Sequence, residues 1–127
     1  MAIAVQVTQM EASGQQIYLT FNLVASGNYV TGGDTIDFTK LVAASSNLNA
    51  QWAGVVAASL PPINFTVWTA GGNLSRDYVG IQGTAMNNSK IKMNTTKGST
   101  TELAAGAYPA DVTADTIQGS ATFNKLL

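Results

Sequence analysis

An antiparallel all-β sandwich, jelly-roll-like in outline and with at most one short helix, is the fold class this sequence predicts. Three observations point there. Apolar and polar residues alternate with a period of two in several separate stretches, as they do in half-buried strands. Turn residues recur at roughly ten-residue spacing, which gives about seven to nine short strands. The chain, at 127 residues, is long enough for one domain spanning 1–127 and too short for two comfortable ones.

The clearest alternation runs through Thr116–Phe123, with Ile117, Gly119, Ala121 and Phe123 on one side and Thr116, Gln118, Ser120 and Thr122 on the other. This is expected to be a central strand, its small residues leaving room for larger side chains arriving from elsewhere. The preceding Tyr108-Pro109 and Val112–Asp115 read as a corner, because Pro109 fixes its own φ and removes a ladder donor.

From the N-terminus, Ile3, Val5 and Val7 alternate with Ala4, Gln6 and Thr8. Glu11–Gln15 reads as a turn around Gly14. Ile17, Leu19, Phe21 and Leu23 form a second strand, expected to pair with the first or to flank it across the core. Ser26-Gly27-Asn28 is a turn, Tyr29–Thr31 a short extended piece, and Gly32-Gly33-Asp34 a break before Ile36 and Phe38 on one face. In Leu41–Leu60, Leu48, Trp52, Val55 and Val56 have approximate helical spacing, with Asn47 or Asn49 as a cap and Pro61-Pro62 as a stop. A two-turn helix is preferred there over an apolar loop. Ile63, Phe65 and Val67 mark a further strand, and Tyr78–Ile81 a short one. Asn87-Asn88 signals a hairpin turn. Ile91 and Met93 then alternate with Lys90 and Lys92, lysines placed to protect a sheet edge.

Composition removes whole classes of chemistry. The chain has no cysteine and no histidine. Disulfides and thiolate metal sites are excluded, and so is the commonest general base and metal ligand. No P-loop or dinucleotide fingerprint occurs. Asp34 and Asp37 invite a cation reading but lack the alternating oxygen ligands of a calcium loop; turn carboxylates satisfying backbone N–H groups are the simpler account. A glycosidase carboxylate pair is the one enzyme class the inventory allows. Its acids fall in turns, and few aromatics are available to line a sugar cleft. No enzyme activity and no cofactor are therefore expected.

Charged residues make up only 10% of the chain and the net charge is −1, against about 25% charged residues in ordinary domains. A nucleic-acid footprint of roughly 6–10 phosphate contacts would need nearly every one of the six scattered cations on one face, so no nucleic-acid partner is expected. No stretch approaches the roughly 20 apolar residues of a membrane span, and no signal peptide opens the chain, so a mature intracellular product is expected. The Asn-x-Ser/Thr triplets at Asn64, Asn73, Asn87 and Asn94 carry little weight in a chain so rich in these residues. Surface polarity must come from Thr, Ser, Asn and Gln, which suits packing against other protein. Trp52, Val55, Val56 and Trp68 are the candidate protein-contact residues, since tryptophan is enriched in interface hot spots.

Three phrases carry a likeness. Asn28-Tyr29-Val30-Thr31-Gly32-Gly33-Asp34-Thr35-Ile36-Asp37-Phe38 and the segment from Glu102 to Ile117 resemble small structural proteins found beside the major capsid protein of tailed bacteriophages. Asn87-Asn88-Ser89-Lys90-Ile91-Lys92-Met93 is similar to a hairpin of the same group, with Asn88-Ser89 where Asn-Gly is expected. The resemblance is to the capsid decoration, or cement, proteins. It implies a β domain made in the host cytoplasm and bound to the capsid exterior of the virion, commonly as a homotrimer, with the major capsid protein as partner. It carries no catalytic, cofactor or metal residue onto this chain. The Ala-rich Leu41–Leu60 stretch departs from the pattern and suits a self-association or docking insertion. The alternative is a head-fibre or tail subunit with a carbohydrate-binding face, in which Tyr29, Trp68 or Tyr78 stacks on sugars.

Overall fold

The strand with the cleanest alternation lies inside the larger sheet, flanked on both sides. A computed structural model describes residues 3–13, 15–39, 41–42, 61–72 and 76–124. Among them, in chain order, are β1 (Ile3–Ser13), β2 (Gln16–Ala25), β3 (Asn28–Tyr29), β4 (Asp34–Ile36), β5 (Leu41–Val42), β6 (Asn64–Gly71), β7 (Tyr78–Ile81), β8 (Ser89–Met93), β9 (Gly106–Ala107), the helix α1 (Ala110–Ala114) and β10 (Thr116–Asn124). The fold is all-β and sandwich-like. The larger sheet has the order β5-β1-β2-β10-β6, the smaller one β4-β8-β7, and β3 pairs with β9. Pairing is antiparallel except for a short parallel contact of β5 with β1.

The core faces of β2 and β10 explain why these two strands are adjacent. Ile17, Leu19, Phe21 and Leu23 stand opposite Phe123, Ala121, Gly119 and Ile117 in register, and all eight are buried. A bulky row thus meets a row with two small members. The Phe21 ring uses the space: a Cβ on Gly119 would lie 2.6 Å from Phe21 Cε2 and 2.9 Å from the Thr66 carbonyl oxygen. Phe38, just beyond β4, closes the core edge-on to Phe21, Phe65 and Phe123, with ring centroids 5.5, 5.7 and 5.2 Å away. Such aromatic pairs contribute about 0.5–1.5 kcal/mol beyond the area they bury. The Phe38 N–H donates to the Met86 carbonyl at 2.8 Å, which ties the loop after β4 to the one before β8.

Several local expectations need correction. The first strand does not turn at Glu11. It pairs with β2 through Ser13 opposite Gln16, and the register shifts between Val7 and Gln9. This bulge at Thr8 moves the core-facing set from Ile3, Val5 and Val7 to Met10, since one extra residue inverts the parity of every residue after it. Gly14 lies outside the described residues. So does most of the expected helix: Leu41 and Val42 form β5, and 43–60 is not described. The corner at Pro109 is instead a single helical turn, in which Val112 N–H and Thr113 N–H donate to the Pro109 carbonyl and Val112 is buried. Proline suits this entry because its φ is already helical and its missing N–H has no partner to lose there.

The lysines do not guard an edge. β8 is the middle strand of the smaller sheet, because β4 supplies a second neighbour, Asp34 to Ile36 opposite Ile91 to Ser89. Lys90 and Lys92 line that sheet's outer face. Nor is Asn87-Asn88 a two-residue hairpin. β7 and β8 do pair, through a connection over 82–88, and Asn88 organises it by side chain. Its Oδ1 accepts the N–H groups of Thr84 and Ala85 at 2.9 and 2.8 Å.

Candidate functional site

The outer face of the larger sheet is a hydrogen-bonding surface almost without charge. Reading across β2, β10 and β6, its rows are Tyr18–Thr122–Asn64, Thr20–Ser120–Thr66 and Asn22–Gln118–Trp68. β1 extends them with Glu11, Gln9 and Gln6 opposite Tyr18, Thr20 and Asn22. Among the described residues of these rows, Glu11 alone is formally charged, and it lies at the hairpin end. The rows are knitted side chain to side chain: Thr66 and Ser120 hydroxyls are 3.1 Å apart, and the Trp68 indole N–H donates to Gln118 Oε1 at 3.2 Å. Tyr18, Val24 and Trp68 remain about 40% exposed among these polar groups. Asn22 Oδ1, deep between the rows, has no hydrogen-bond partner among the described residues.

Trp68 is the one predicted contact residue the structure describes; Trp52, Val55 and Val56 lie outside the described residues. Of the three aromatics proposed to stack on sugars, Tyr29 and Tyr78 are buried and Trp68 is exposed. The rings of both tyrosines belong to the core, and their hydroxyls find polar partners.

Trp68 also borders a cleft of about 540 Å³ where the β6 edge meets β7. Trp68, Thr69, Tyr78 and Val79 line it together with the polar Arg76, Asp77, Asn94 and Lys97. Its base is braced by Arg76, which is buried despite its charge. The guanidinium donates through Nε and Nη2 to both oxygens of Asp111 at 2.7–3.0 Å, and through Nη1 to the Asn94 carbonyl at 3.1 Å. Asp115, the residue that caps the C-terminal end of α1, accepts the Tyr78 hydroxyl. Burial, then that carboxylate, pushes the Tyr78 phenol far above its ordinary range. The carboxylates of Asp111 and Asp115 are thus structural anchors that tie α1 and its C-cap to Arg76 and β7.

A second, partly buried polar knot lies close by, at the same Met93 end of the smaller sheet. The Tyr29 hydroxyl donates to Glu102 Oε2 at 2.8 Å and accepts the Met93 N–H at 3.1 Å, while Glu102 Oε2 also accepts the Gly32 N–H at 2.6 Å. Burial, reinforced by Glu102, pushes the Tyr29 phenol up to about 12. The Gly32 N–H and then the Tyr29 hydroxyl hold the exposed Glu102 carboxyl below its usual range. Asp34 Oδ1 accepts the Val30 N–H at 2.9 Å, and Asp37 Oδ1 the Thr39 N–H at 2.9 Å. Both acids therefore work as turn residues. Among the described residues no group of three or more acidic, histidine or cysteine side chains is placed to hold a metal ion.

Asp34 carries a testable consequence. It is fully buried, and its Oδ2 has no partner among the described residues. Burial raises its pKa, with the Val30 N–H opposing. A raised folded-state pKa means that the neutral acid fits the fold better than the carboxylate. The contribution is whole below the ordinary carboxylate range and is lost as pH rises through the folded-state value. Asp34→Asn keeps the Val30 bond and removes the charge. It should stabilise the protein at neutral pH by about 1 kcal/mol, with the gain shrinking to nothing near about pH 3. Thermal melts of parent and variant across that range are the measurement; a gain that does not vary with pH would contradict it.

Sequence reasoning missed Arg76, Asp111, Tyr78 and Asp115. Arg76 was one of six scattered cations, and nothing local announces its partner. The available signal was the i, i+4 spacing of Asp111 and Asp115 after Pro109, which puts both carboxylates on one face of a helical turn. Compared with known proteins, the chain matches no family model, no curated protein and no solved structure.

Proposed function

We propose that this chain is a decoration protein of a tailed-phage capsid. It is made in the host cytoplasm, docks on the outside of the assembled shell as a homotrimer, and stabilises contacts between major capsid subunits. The observation that carries this reading is the outer face of the larger sheet: almost uncharged, and rich in hydroxyl and amide groups with Tyr18, Val24 and Trp68 among them. Protein contact buries such a face with little desolvation of charge. A surface that exists only on the assembled shell then stabilises assembly by mass action, and a trimer fits a threefold lattice position. The role needs no cofactor, no catalysis, no nucleic acid and no membrane.

The test is light-scattering size and cosedimentation with empty shells of the same phage. The parent should be oligomeric and should pellet with shells. Thr20→Lys combined with Ser120→Lys sets two cations in the middle of the face and should weaken shell binding at least roughly tenfold, about 1.4 kcal/mol, with melting little changed. A parent that stays monomeric and never pellets removes the proposal. A second reading, a head-fibre or tail component that binds carbohydrate, is favoured by one observation: the exposed Trp68 ring at the rim of the β6–β7 cleft.

A further inference from the structure

We propose that the cleft between β6 and β7 is a binding site for a neutral saccharide, with the Trp68 ring as its stacking platform. The inference deepens the carbohydrate-binding reading and rests on it; shell docking does not depend on it. At about 540 Å³ the cleft falls within the roughly 300–1,000 Å³ of small-molecule sites. Its platform is ready before any ligand arrives. Trp68 is 40% exposed, yet its indole N–H is held by Gln118 Oε1, so little side-chain freedom remains to be lost on binding.

The polar lining residues supply the hydrogen bonds that sugar hydroxyls need. Asp77 Oδ2 accepts the Gly98 N–H at 2.8 Å and Asn94 Nδ2 donates to the Ser99 carbonyl at 2.9 Å. These bonds fix both side chains. Asp77 Oδ1 and Asn94 Oδ1 make no hydrogen bond among the described residues and are the acceptors for a ligand O–H. Lys97 adds a donor. The charges decide the ligand class: Arg76 is matched by Asp111, and the lining holds one further charge of each sign, Asp77 and Lys97. Asp115, which accepts the Tyr78 hydroxyl, leaves one negative charge in excess around the cleft, so an anionic ligand is disfavoured and the acceptors suit a polyol. Ring faces carrying C–H groups pack on indole, while the hydroxyls at the sugar's edge reach Asp77, Asn94 and Lys97.

The experiment is a nitrogen-15 NMR titration of the whole chain with maltotriose, cellotriose and chitotriose, and with sialyllactose as the anionic comparator. Each is taken to about 20 mM, well above an expected Kd on the order of 1 mM. At least one neutral trisaccharide should shift the Trp68 indole resonance and the amides of Asn94 and Lys97. Trp68→Ala should weaken that binding at least roughly tenfold while Trp68→Phe retains most of it, with the melting curve of each variant confirming the fold. Neutral-sugar binding that survives Trp68→Ala keeps the carbohydrate-binding reading but overturns the cleft. Sialyllactose binding tightest of all overturns the neutral class. No shift with any of the four sugars overturns both the cleft and the reading beneath it.

Discussion

Gly119→Val should leave the chain unable to fold at physiological temperature, and Gly119→Ala should cost about 3 kcal/mol. The sign is diagnostic. At an ordinary strand position, exchanging glycine for alanine stabilises by about 0.4–1 kcal/mol, because the unfolded chain loses freedom. Here the new Cβ would meet the Phe21 ring at 2.6 Å and the Thr66 carbonyl oxygen at 2.9 Å. The ring cannot swing aside, since Phe38 stands edge-on to it and Phe65 stacks beside it with centroids 6.3 Å apart. The carbonyl belongs to β6, paired with β10 in register. Forcing extra carbon into a packed core costs about 1–3 kcal/mol and occasionally more, and valine adds two further methyl groups. Against a total stability of roughly 5–15 kcal/mol for a domain, that is decisive. Phe21→Leu in the Gly119→Ala background should recover part of the loss, a coupling that a double-mutant cycle by denaturant melts reads directly. If Gly119→Ala melts at or above the parent's temperature, the close approach does not constrain the sheet.

Arg76→Met should be nearly as damaging, at about 3 kcal/mol. The substitution keeps most of the apolar stem and removes the fork that grips both Asp111 oxygens and the Asn94 carbonyl. Asp111 is partly buried, with its side chain 24% exposed, so water relieves some of the penalty and the loss falls at the low end for a broken buried pair, about 3–5 kcal/mol. Arg76→Lys should lose roughly half as much, because an ammonium keeps the charge but not the planar two-point grip. Added salt should change these differences little, since buried pairs are screened weakly. Chemical denaturation of the three proteins at low and high salt is the measurement; a loss that vanishes at high salt would place the pair on the surface.

The same two sites show what the sequence made legible. Ile17 to Leu23 and Ile117 to Phe123 could be read because each faces one core on one side, and a period of two follows directly from that. Even the smallness of Gly119 pointed to a large neighbour, though not to Phe21. The bulge at Thr8 was not legible, because its cause is the pairing with β2 rather than any residue preference. Lys90 and Lys92 looked like edge residues because β4 is only three residues long and follows two glycines, leaving almost no pattern to announce a neighbouring strand. The Arg76–Asp111 brace joins positions 35 apart, and no local rule links them. Trp68 stood out by type alone, whereas Tyr29 and Tyr78 looked equivalent to it until their rings were placed in the core. The nearly uncharged face was visible as composition, but its gathering onto one side of one sheet required the register.

The position of β10 also bears on how a newly made chain acquires its shape. It occupies the slot between β2 and β6, yet it follows every other strand described. While the ribosome is still working through the chain, β1 and β2 can close as a hairpin, but β2 and β6 each keep a bare edge, and Phe21 has no roof. Completion must wait for the final strand to insert between two that are already waiting, a long-range event of the kind that slows all-β domains to milliseconds or seconds. Until then the nascent molecule exposes two adhesive borders, which makes that interval its period of greatest risk of aggregation.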